Sequence, residues 1–330
     1  MIKDMMPGFA LLQPTTIEDA LALLNDHGPD AWLLAGGNDS LGWFKDRVKR
    51  PKAVIDLGAI ASLKGIRETA NGLEIGALTT LTEIERHPIV KAQYRLLADA
   101  AGNVASPQIR NSGTLGGNVA QDTRCWYYRD GLPCFRAGGS ACFANTPESM
   151  NREHALFGAN RCVAVTPSDT APALVALDAK MVVRNRSGEQ LIDAEKFFIG
   201  PSVDITRMTV LKPGDILTGF RLPNAWANAH YYFEKVADRK TWDFALVNVA
   251  AALVVSNGAV ERARIVCGGV ECVPRRLKVA EDIIRGKRID NQLAKLAGTS
   301  VTRKARPLNY NHFKVPLMQN LVMRAVRDAT

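Results

Sequence analysis

The glycine-rich segment SPQIRNSGTLGGNVAQ, at residues 106–121, constrains the fold of this 330-residue chain more strongly than any other part of the sequence. Its glycines allow the backbone to approach a ligand closely, because no Cβ atom stands in the way. Its polar side chains add hydrogen-bond donors, and donors on flexible backbone suit a pyrophosphate. The residues concerned are Arg110, Asn111, Ser112, Gly113, Thr114, Gly116, Gly117 and Asn118. The segment therefore predicts a nucleotide site.

A second glycine pair, Gly36 and Gly37, stands in LLAGGNDSL directly after a predicted buried strand at residues 32–35. Backbone N–H groups can converge on an anion at such a turn, although an ordinary tight turn explains this pair more simply when it is taken alone. Neither glycine segment has the GxGxxG spacing of a dinucleotide-binding Rossmann fold or the GxxxxGK[ST] spacing of a P-loop. A nucleotide site in this chain is therefore expected in a different fold.

Four of the six cysteines, Cys125, Cys134, Cys142 and Cys162, form a group with the spacing C-x8-C-x7-C-x19-C. Four thiolates are the usual ligands of one [4Fe–4S] cluster or of one structural zinc ion, and coordination chemistry alone does not distinguish them. Free or disulfide-bonded cysteines are the third alternative. The surrounding segment is rich in Gly, Pro, Asn and Arg and buries little apolar surface unaided, so a metal centre would supply its order.

The composition is that of a globular protein, with 47% hydrophobic and 23% charged residues. No run of 18 or more apolar residues occurs, and residues 1–12 lack the features of a secretory signal, so no membrane insertion is expected. The formal charge of +9 comes mainly from basic residues spread along the chain, which favours solvated faces or an acidic protein partner over nucleic acid. The cytoplasm is the expected compartment, and export to the periplasm on a signal-bearing partner is the alternative.

Hydrophobic periodicity, with Gly and Pro as punctuation, predicts a mixed α and β chain. The segment at residues 106–118 is predicted to be a loop, and a domain boundary is expected near residue 228. Cys267 and Cys272, on either side of two glycines, are predicted to be buried free thiols on a strand and its turn. Helices are predicted at residues 16–25, 82–87, 93–101, 170–177, 276–284 and 318–328, and strands at residues 32–35, 53–57, 73–75, 180–184, 215–222, 245–256 and 263–266.

Five motifs, in their order along the chain, resemble the landmarks of the FAD-binding middle subunit of the xanthine dehydrogenase family of molybdenum hydroxylases. They are AGGNDSL, IRNSGTLGGNVA, PSDTAPAL, YFEKVADRKTWDFALVNVAAAL and CGGVECVPRR. The resemblance covers nearly the whole chain and implies an α+β fold. It implies a two-subdomain FAD-binding fold of the p-cresol methylhydroxylase type at residues 1–228. A small C-terminal α+β domain, with a three-stranded sheet and helices, is implied at residues 229–330.

By the same resemblance, the first glycine loop wraps the pyrophosphate of FAD and the second loop completes its cradle. Asp169 is implied to hold the ribose or adenine end, and Lys235 to lie near the flavin, where a positive charge stabilises an anionic reduced ring. A solvated strand lysine is an equal alternative for Lys235. Neither loop contains His or Cys, so a dissociable flavin is expected. The FAD-binding residues implied are Leu33, Leu34, Ala35, Gly36, Gly37, Asn38, Asp39, Ser40, Arg110, Asn111, Gly113, Thr114, Gly116, Gly117, Asn118, Asp169 and Lys235.

The cysteine-rich insert, at about residues 122–165, is absent from most of the family. It resembles the insert of bacterial aldehyde oxidoreductases that have an extra cluster in the flavin subunit, and 4-hydroxybenzoyl-CoA reductase has a comparable insert. The resemblance implies that Cys125, Cys134, Cys142 and Cys162 bind one [4Fe–4S] cluster rather than zinc. His154 matches the same subset and is expected to pack beside the cluster without binding it.

The resemblance also implies a division of labour among subunits. Substrate hydroxylation is expected to take place at a molybdenum cofactor on a separate large subunit. No catalytic residue is expected in this chain, whose redox chemistry would come from the flavin. The chain is expected to take electrons from the [2Fe–2S] clusters of a small subunit and to pass them to an external acceptor, within a heterotrimer or its dimer. A cluster of basic residues is a candidate for docking an acidic partner. The alternative is that these residues form a solvated loop. This cluster contains Lys45, Arg47, Lys49, Arg50 and Lys52.

Two other functions stay open on the sequence. A zinc-stabilised structural subunit with a vestigial nucleotide site would be colourless, whereas a flavin and iron–sulfur protein is yellow to brown. A stand-alone flavin reductase of the same fold would purify as an active unit with its own substrate pocket.

Overall fold

The structure, a computed structural model, describes residues 5–329. Its first unit has three strands and two helices: β1 (Ala10–Leu12), α1 (Ile17–His27), β2 (Ala31–Leu34), α2 (Ser40–Lys45) and β3 (Ala53–Asp56). The strands form a parallel sheet in the order β1-β3-β2. Helix α1, predicted at residues 16–25, begins after Thr16, whose side chain accepts a backbone hydrogen bond, and it buries Ile17, Ala20, Leu21 and Leu24 on one face.

The second unit is built on a five-stranded antiparallel sheet, and the cysteine insert lies within it in sequence. The elements are β4 (Ile66–Thr69), β5 (Gly72–Gly76), α3 (Leu81–Arg86), α4 (Pro88–Gln93), α5 (Arg95–Gly102), α6 (Pro107–Ser112), α7 (Leu115–Ala120), α8 (Trp126–Arg129), α9 (Thr170–Ala176), β6 (Lys180–Asn185), β7 (Gly188–Asp193), α10 (Ala194–Phe197) and β8 (Ile216–Pro223). The strand order is β4-β5-β8-β6-β7. Leu73 and Ile75 on β5, Met181 on β6 and Phe220 on β8 join one core with helices α5 and α9.

The glycine-rich segment differs from its prediction, because residues 106–118 were expected to be a loop and instead form α6 and most of α7. Ser106 caps α6, with its hydroxyl accepting from the Ile109 N–H, and a proline occupies the first turn. Thr114 caps α7 by accepting from the Gly117 N–H at 3.0 Å. The two caps outweigh the low helix propensity of the glycines. The prediction of a loop had been based on those glycines.

The cysteine insert has little regular structure beyond α8, and it joins the second unit to the C-terminal part of the chain. The N–H groups of Leu156 and Phe157 donate to the Val270 carbonyl at 2.8 and 3.1 Å, and the Arg306 N–H donates to the Leu156 carbonyl at 2.8 Å. Both Leu156 and Phe157 are buried in the C-terminal core. The insert is therefore anchored by the C-terminal elements as well as by its own sequence neighbours.

The C-terminal residues form a four-stranded antiparallel sheet in the order β12-β11-β10-β9, with helices on one face. The elements are β9 (His230–Val236), β10 (Val247–Ser256), β11 (Ala259–Gly268), β12 (Arg275–Arg276), α11 (Lys278–Ile284), α12 (Asn291–Ser300) and α13 (Lys314–Asp328). Alternate residues of β10 face the helices, whereas Ala250 and Ala252 face the core of the second unit. Cys267 on β11 and Cys272 in the following turn are buried free thiols, which confirms that prediction.

The three long strands agree with the implied three-stranded sheet, and β12 adds only two residues to it. Helix α12 and strand β9 had not been predicted from the sequence pattern. Among residues 5–329 no helix has the length and apolar character needed to cross a membrane.

Candidate functional site

The two glycine loops lie against each other. The first connects β2 to α2, and a Cβ atom on Gly36 would come within 2.1 Å of the Ser112 carbonyl oxygen in the second. Asn38 Nδ2 donates to Ser112 Oγ at 3.2 Å and to the Ile109 carbonyl at 3.4 Å. Glycine at position 36 is therefore needed for the loops to meet.

The first loop presents backbone N–H groups that the protein itself does not use. Among the hydrogen bonds of residues 5–329, none has the N–H of Gly36, Gly37, Asn38 or Asp39 as its donor. All four residues are partly or fully exposed to solvent. Consecutive free N–H groups of this kind form an anion-binding concavity that suits a phosphate.

The second loop uses its polar side chains for its own structure. The predicted donors pair with neighbouring elements: Arg110 with Glu85 and Val104, Asn111 with Thr82, and Asn118 with Ser168 and Thr170. The Asn118 amide oxygen accepts both hydroxyls at 2.6 Å, which ties α7 to the start of α9. These side chains hold the loop in shape, so the sequence did not reveal which donors are left for a ligand.

Two glycines of the second loop have different surroundings. A Cβ atom on Gly116 would come within 2.8 Å of the Ala77 carbonyl oxygen, so close packing requires glycine there. A Cβ atom on Gly117 would meet only Thr114 Oγ1 at 3.0 Å and Ala35 Cβ at 3.9 Å. A side chain at position 117 therefore needs Thr114 Oγ1 to shift by a few tenths of an ångström, and it meets no other atom closer than Ala35 Cβ.

The other side chains of the first loop have structural partners. Leu33 and Leu34 point into two separate hydrophobic clusters, and Ser40 Oγ accepts from the Trp32 indole N–H at 2.9 Å. These side chains therefore position the loop, and the predicted contact of the three residues with FAD stays a prediction.

The carboxylate of Asp39 faces the cysteine insert. Its Oδ1 lies 2.6 Å from Arg129 Nη2 and 3.1 Å from Arg124 Nη2, and its Oδ2 accepts from the Asp122 N–H at 3.3 Å. Arg124 directly precedes Cys125, and Arg129 ends α8. These ion pairs, which were not predicted from the sequence, connect the first glycine loop to the cysteine insert. No spacing in the sequence signals contacts over so long a separation.

Asp169 and Lys235 form one buried ion pair, although the resemblance assigned them to different parts of the cofactor. Lys235 Nζ lies 2.6 Å from Asp169 Oδ2, and the two side chains are 7% and 3% exposed. Asn248 Nδ2 donates to Asp169 Oδ1 at 2.8 Å, and Lys235 also donates to the Asn103 carbonyl. Burial raises the pKa of the Asp169 carboxyl, which the Lys235 charge opposes. The alternative of a solvated strand lysine is wrong.

A cleft of about 500 Å³ opens where the second unit, the insert and the C-terminal elements meet. Its lining includes the polar side chains of Asp169 and Asn248 and the aromatic rings of Trp242 and Phe244. The Arg124 guanidinium carbon lies 4.7 Å from the centre of the Phe244 ring. Aromatic walls with a few buried polar groups are typical of cofactor sites.

All four cysteines of the insert line a single apolar cavity beside that cleft. Burial raises the pKa of the Cys125 thiol to about 12; the Tyr128 N–H lowers it, and the charges of the other three sulfurs raise it. Burial also raises the pKa of Cys142, which the N–H groups of Val163 and Ala144 oppose. The four sulfur atoms are therefore close enough to influence one another, and none of them is in a disulfide.

A mononuclear metal site finds no support. Within residues 5–329, no group of three or more His, Cys, Asp or Glu side chains is placed to hold one metal ion. Tetrahedral zinc, with Zn–S bonds of about 2.3 Å, needs its sulfur ligands about 3.8 Å apart. Zinc geometry is therefore absent from the described residues, and the metal bound by the insert cysteines stays a prediction.

The basic cluster near α2 is partly engaged within the chain. Lys49 Nζ donates to the Tyr128 hydroxyl at 2.8 Å and lies over the Trp43 ring, and Lys52 pairs with Asp30 at 2.8 Å. Lys49 thus stabilises the packing of the cysteine insert against α2.

Comparisons with known proteins point to the same family over nearly the whole chain. Residues 7–225 match the family described as FAD binding domain in molybdopterin dehydrogenase, and residues 231–329 match the CO dehydrogenase flavoprotein C-terminal domain. The chain is 33% identical over 312 residues to the aldehyde oxidoreductase FAD-binding subunit PaoB of Escherichia coli (strain K12), covering 93% of this chain and 94% of that protein. It is 29% identical over 328 residues to the carbon monoxide dehydrogenase medium chain of Hydrogenophaga pseudoflava, covering 98% and 97%.

Solved structures give the same result. The carbon monoxide dehydrogenase of Hydrogenophaga pseudoflava lacking the Mo-pyranopterin moiety matches with a TM-score of 0.78 at 27% identity, over 98% of both chains. Quinoline 2-oxidoreductase from Pseudomonas putida 86 matches with a TM-score of 0.77 at 25% identity, over 98% of both chains. The fold expected from the motifs is confirmed. This chain therefore belongs to the FAD-binding medium subunits of the molybdenum hydroxylase family, and it is a subunit of an oxidoreductase.

Proposed function

We propose that this chain is the electron-transfer subunit of a molybdenum-dependent hydroxylase of the aldehyde oxidoreductase type, and that it carries both FAD and a [4Fe–4S] cluster. It takes electrons from [2Fe–2S] clusters of a small subunit and delivers them to an external acceptor. Hydroxylation takes place on a large subunit that holds the molybdenum cofactor. In the present chain, the boundary between the FAD-binding domain and the C-terminal domain lies near residue 228.

The proposed FAD site combines the two glycine loops with the cleft. The free N–H groups of residues 36–39 bind the pyrophosphate, and the absence of a Cβ atom at Gly117 lets it approach. Lys235, held by Asp169 and Asn248, supplies positive charge to this site. FAD contributes two-electron redox chemistry, and the chain's own residues bind it, orient it and exclude water.

The proposed cluster site is the apolar cavity lined by Cys125, Cys134, Cys142 and Cys162. Four cysteines around one apolar cavity are the usual ligand set of a cubane cluster, whose thiolates lie further apart than those of a single ion. Backbone N–H groups aimed at Cys142 are of the kind that stabilise cluster thiolates.

The observation that carries the proposal is the shared wall between the two spaces. Thr123, Cys125 and Ala164 line both the cleft and the cysteine cavity. A flavin in the cleft and a cluster held by Cys125 would both lie against this wall. Such closeness suits electron transfer between two centres in one subunit.

Single replacement of each insert cysteine by alanine tests the cluster assignment. We expect the wild-type full chain to contain about four irons per flavin. Each variant should lose most of that iron, because three cysteines leave one cluster corner without its thiolate. Cys267→Ala, which removes a buried thiol outside the insert, is the matched control and should keep its iron. Wild-type chain with one equivalent of zinc and no iron would reject the cluster.

A further inference from the structure

We propose that His154 donates a hydrogen bond from Nε2 to the Cys125 sulfur and thereby raises the reduction potential of the cluster. This inference rests on the proposed cluster and concerns a positioning residue, not a metal ligand. It adds His154 to the cluster site as a hydrogen-bond donor that tunes the reduction potential.

The contact is a short one between buried groups. His154 Nε2 lies 3.3 Å from Cys125 Sγ, and the histidine is 3% exposed. His154 lines the cleft, whereas Cys125 lines both the cleft and the cysteine cavity. The imidazole therefore stands on the cleft side of the sulfur that is nearest to the proposed flavin site.

The direction of the hydrogen bond follows from the chemistry of an iron-bound thiolate, which can only accept. His154 Nε2 must then carry the proton. In the neutral ring, Nδ1 becomes the lone-pair nitrogen, and it has no hydrogen-bond partner in the structure. A buried N–H without an acceptor would cost more than a buried lone pair without a donor, so the Nε2–H tautomer is also the better one for Nδ1.

The histidine is held from the C-terminal part of the chain. Its backbone carbonyl accepts from Asn311 Nδ2 and from Lys314 Nζ, both at 3.0 Å, and Lys314 also donates to the Gly269 carbonyl at 2.8 Å. The His154 N–H donates to the Asn151 carbonyl at 3.1 Å. Because the backbone is fixed on both sides, the donor is in place before the cluster changes its charge.

A fixed donor affects the two oxidation states differently. Reduction adds one negative charge to the cluster and its thiolates, and the hydrogen bond stabilises the more negative state more strongly. Removing the donor should therefore lower the reduction potential. We expect the ratio of reduced to oxidised cluster at a fixed potential to fall about tenfold, which corresponds to about 59 mV for one electron.

The test is a redox titration of the cluster in the full chain, followed by electron paramagnetic resonance. His154→Leu removes the donor and should give the tenfold shift, whereas His154→Gln, whose amide nitrogen can reach the position of Nε2, should stay within about threefold of wild type. A His154→Leu chain with full iron and the wild-type midpoint would overturn the inference alone. Wild-type chain without iron would overturn the proposed cluster as well.

A second measurement uses the wild-type chain and covers the case in which His154→Leu fails to load iron. In protein labelled with ¹⁵N-histidine, pulsed paramagnetic resonance of the reduced cluster should detect one weakly coupled nitrogen. His154→Gln should abolish that coupling while it keeps the cluster. A loaded wild-type cluster without any histidine nitrogen coupling would contradict the hydrogen bond.

Discussion

Lys314, at the start of α13, is a fully buried lysine, and its hydrogen-bond partners among residues 5–329 are the carbonyl groups of His154 and Gly269. Burial lowers its pKa to about 7, the Glu153 charge opposes this shift, and the Arg152 charge adds to it. A neutral amine has two N–H groups to donate, which matches the two acceptors.

The lowered pKa of Lys314 predicts a pH dependence of stability. Between pH 7 and the ordinary lysine pKa of 10.5, the unfolded chain binds a proton that the folded chain lacks, so stability rises with pH in that window. The slope is at most about 1.4 kcal/mol per pH unit. Denaturant unfolding at pH 7 and pH 9 should show wild type gaining about 2 kcal/mol relative to Lys314→Met. Lys295→Met, at an exposed site on α12, should keep the wild-type slope, and a Lys314→Met profile parallel to wild type would contradict the assignment.

Gly117 gives a second prediction at the scale of one residue. A side chain there needs only a small shift of Thr114 Oγ1, but the proposed pyrophosphate would occupy the same space. Gly117→Val should therefore fold and lose most of its flavin, as measured by the ratio of flavin absorbance to protein. Gly200→Val, where a Cβ atom meets nothing within 4 Å, is the control. Full flavin occupancy in folded Gly117→Val would exclude the loop from the site.

The connection between the first glycine loop and the cysteine insert is the main feature at the scale of elements. Arg129 contributes twice, because it pairs with Asp39 at 2.6 Å and stacks with its guanidinium carbon 3.5 Å from the centre of the Trp43 ring. Both side chains of the ion pair are less than one fifth exposed. The conformation of the first glycine loop should therefore depend on a folded cysteine insert.

Arg129→Gln tests that connection. We expect the free energy of unfolding to fall by about 2 kcal/mol, because the Asp39 carboxylate loses its closest partner while partly buried. The flavin dissociation constant should rise about fivefold, which is about 1 kcal/mol. Arg186→Gln, at an exposed turn, should change neither quantity. An Arg129→Gln chain that loses stability but binds flavin with unchanged affinity would show that the loop does not depend on the insert.

Particular elements show how far the sequence could lead. About half of the described helices and strands, α1 among them, followed from local pattern, because those signals lie within a few residues. The helices α6 and α7 did not, since their glycines concealed two capping residues. The pairing of Asp169 with Lys235 joins residues that are far apart in sequence, as do the contacts of Asp39 with Arg129. Such contacts depend on how the units pack, which no local pattern encodes.

At the scale of the whole molecule, the chain is expected to work only within a complex. A tagged full chain should co-purify with a small iron–sulfur chain and a large molybdenum chain. The isolated chain should fail to oxidise aldehydes or N-heterocycles, because the described residues supply electron-transfer sites and no hydroxylation centre has been assigned to them. Substrate oxidation by the chain alone, with molybdenum absent by metal analysis, would favour a stand-alone enzyme.

Docking of the small subunit should depend on the part of the basic cluster that is not engaged within the chain. Lys49 and Lys52 have partners in the structure, whereas Lys45 is an exposed member at the end of α2. Lys45→Glu should slow association with an acidic partner, most strongly at low ionic strength. Lys295→Glu, on the distant helix α12, is the control, and equal association rates for both variants would place the docking surface elsewhere.

The central claim is that one chain carries two redox centres, and an anaerobic reductive titration of the full chain counts them directly. FAD accepts two electrons and a [4Fe–4S] cluster accepts one, so visible absorbance should bleach over about three electron equivalents per chain. The Cys125→Ala variant should require about two. A wild-type end point at two equivalents, with the flavin fully reduced and no iron in the protein, would contradict the account.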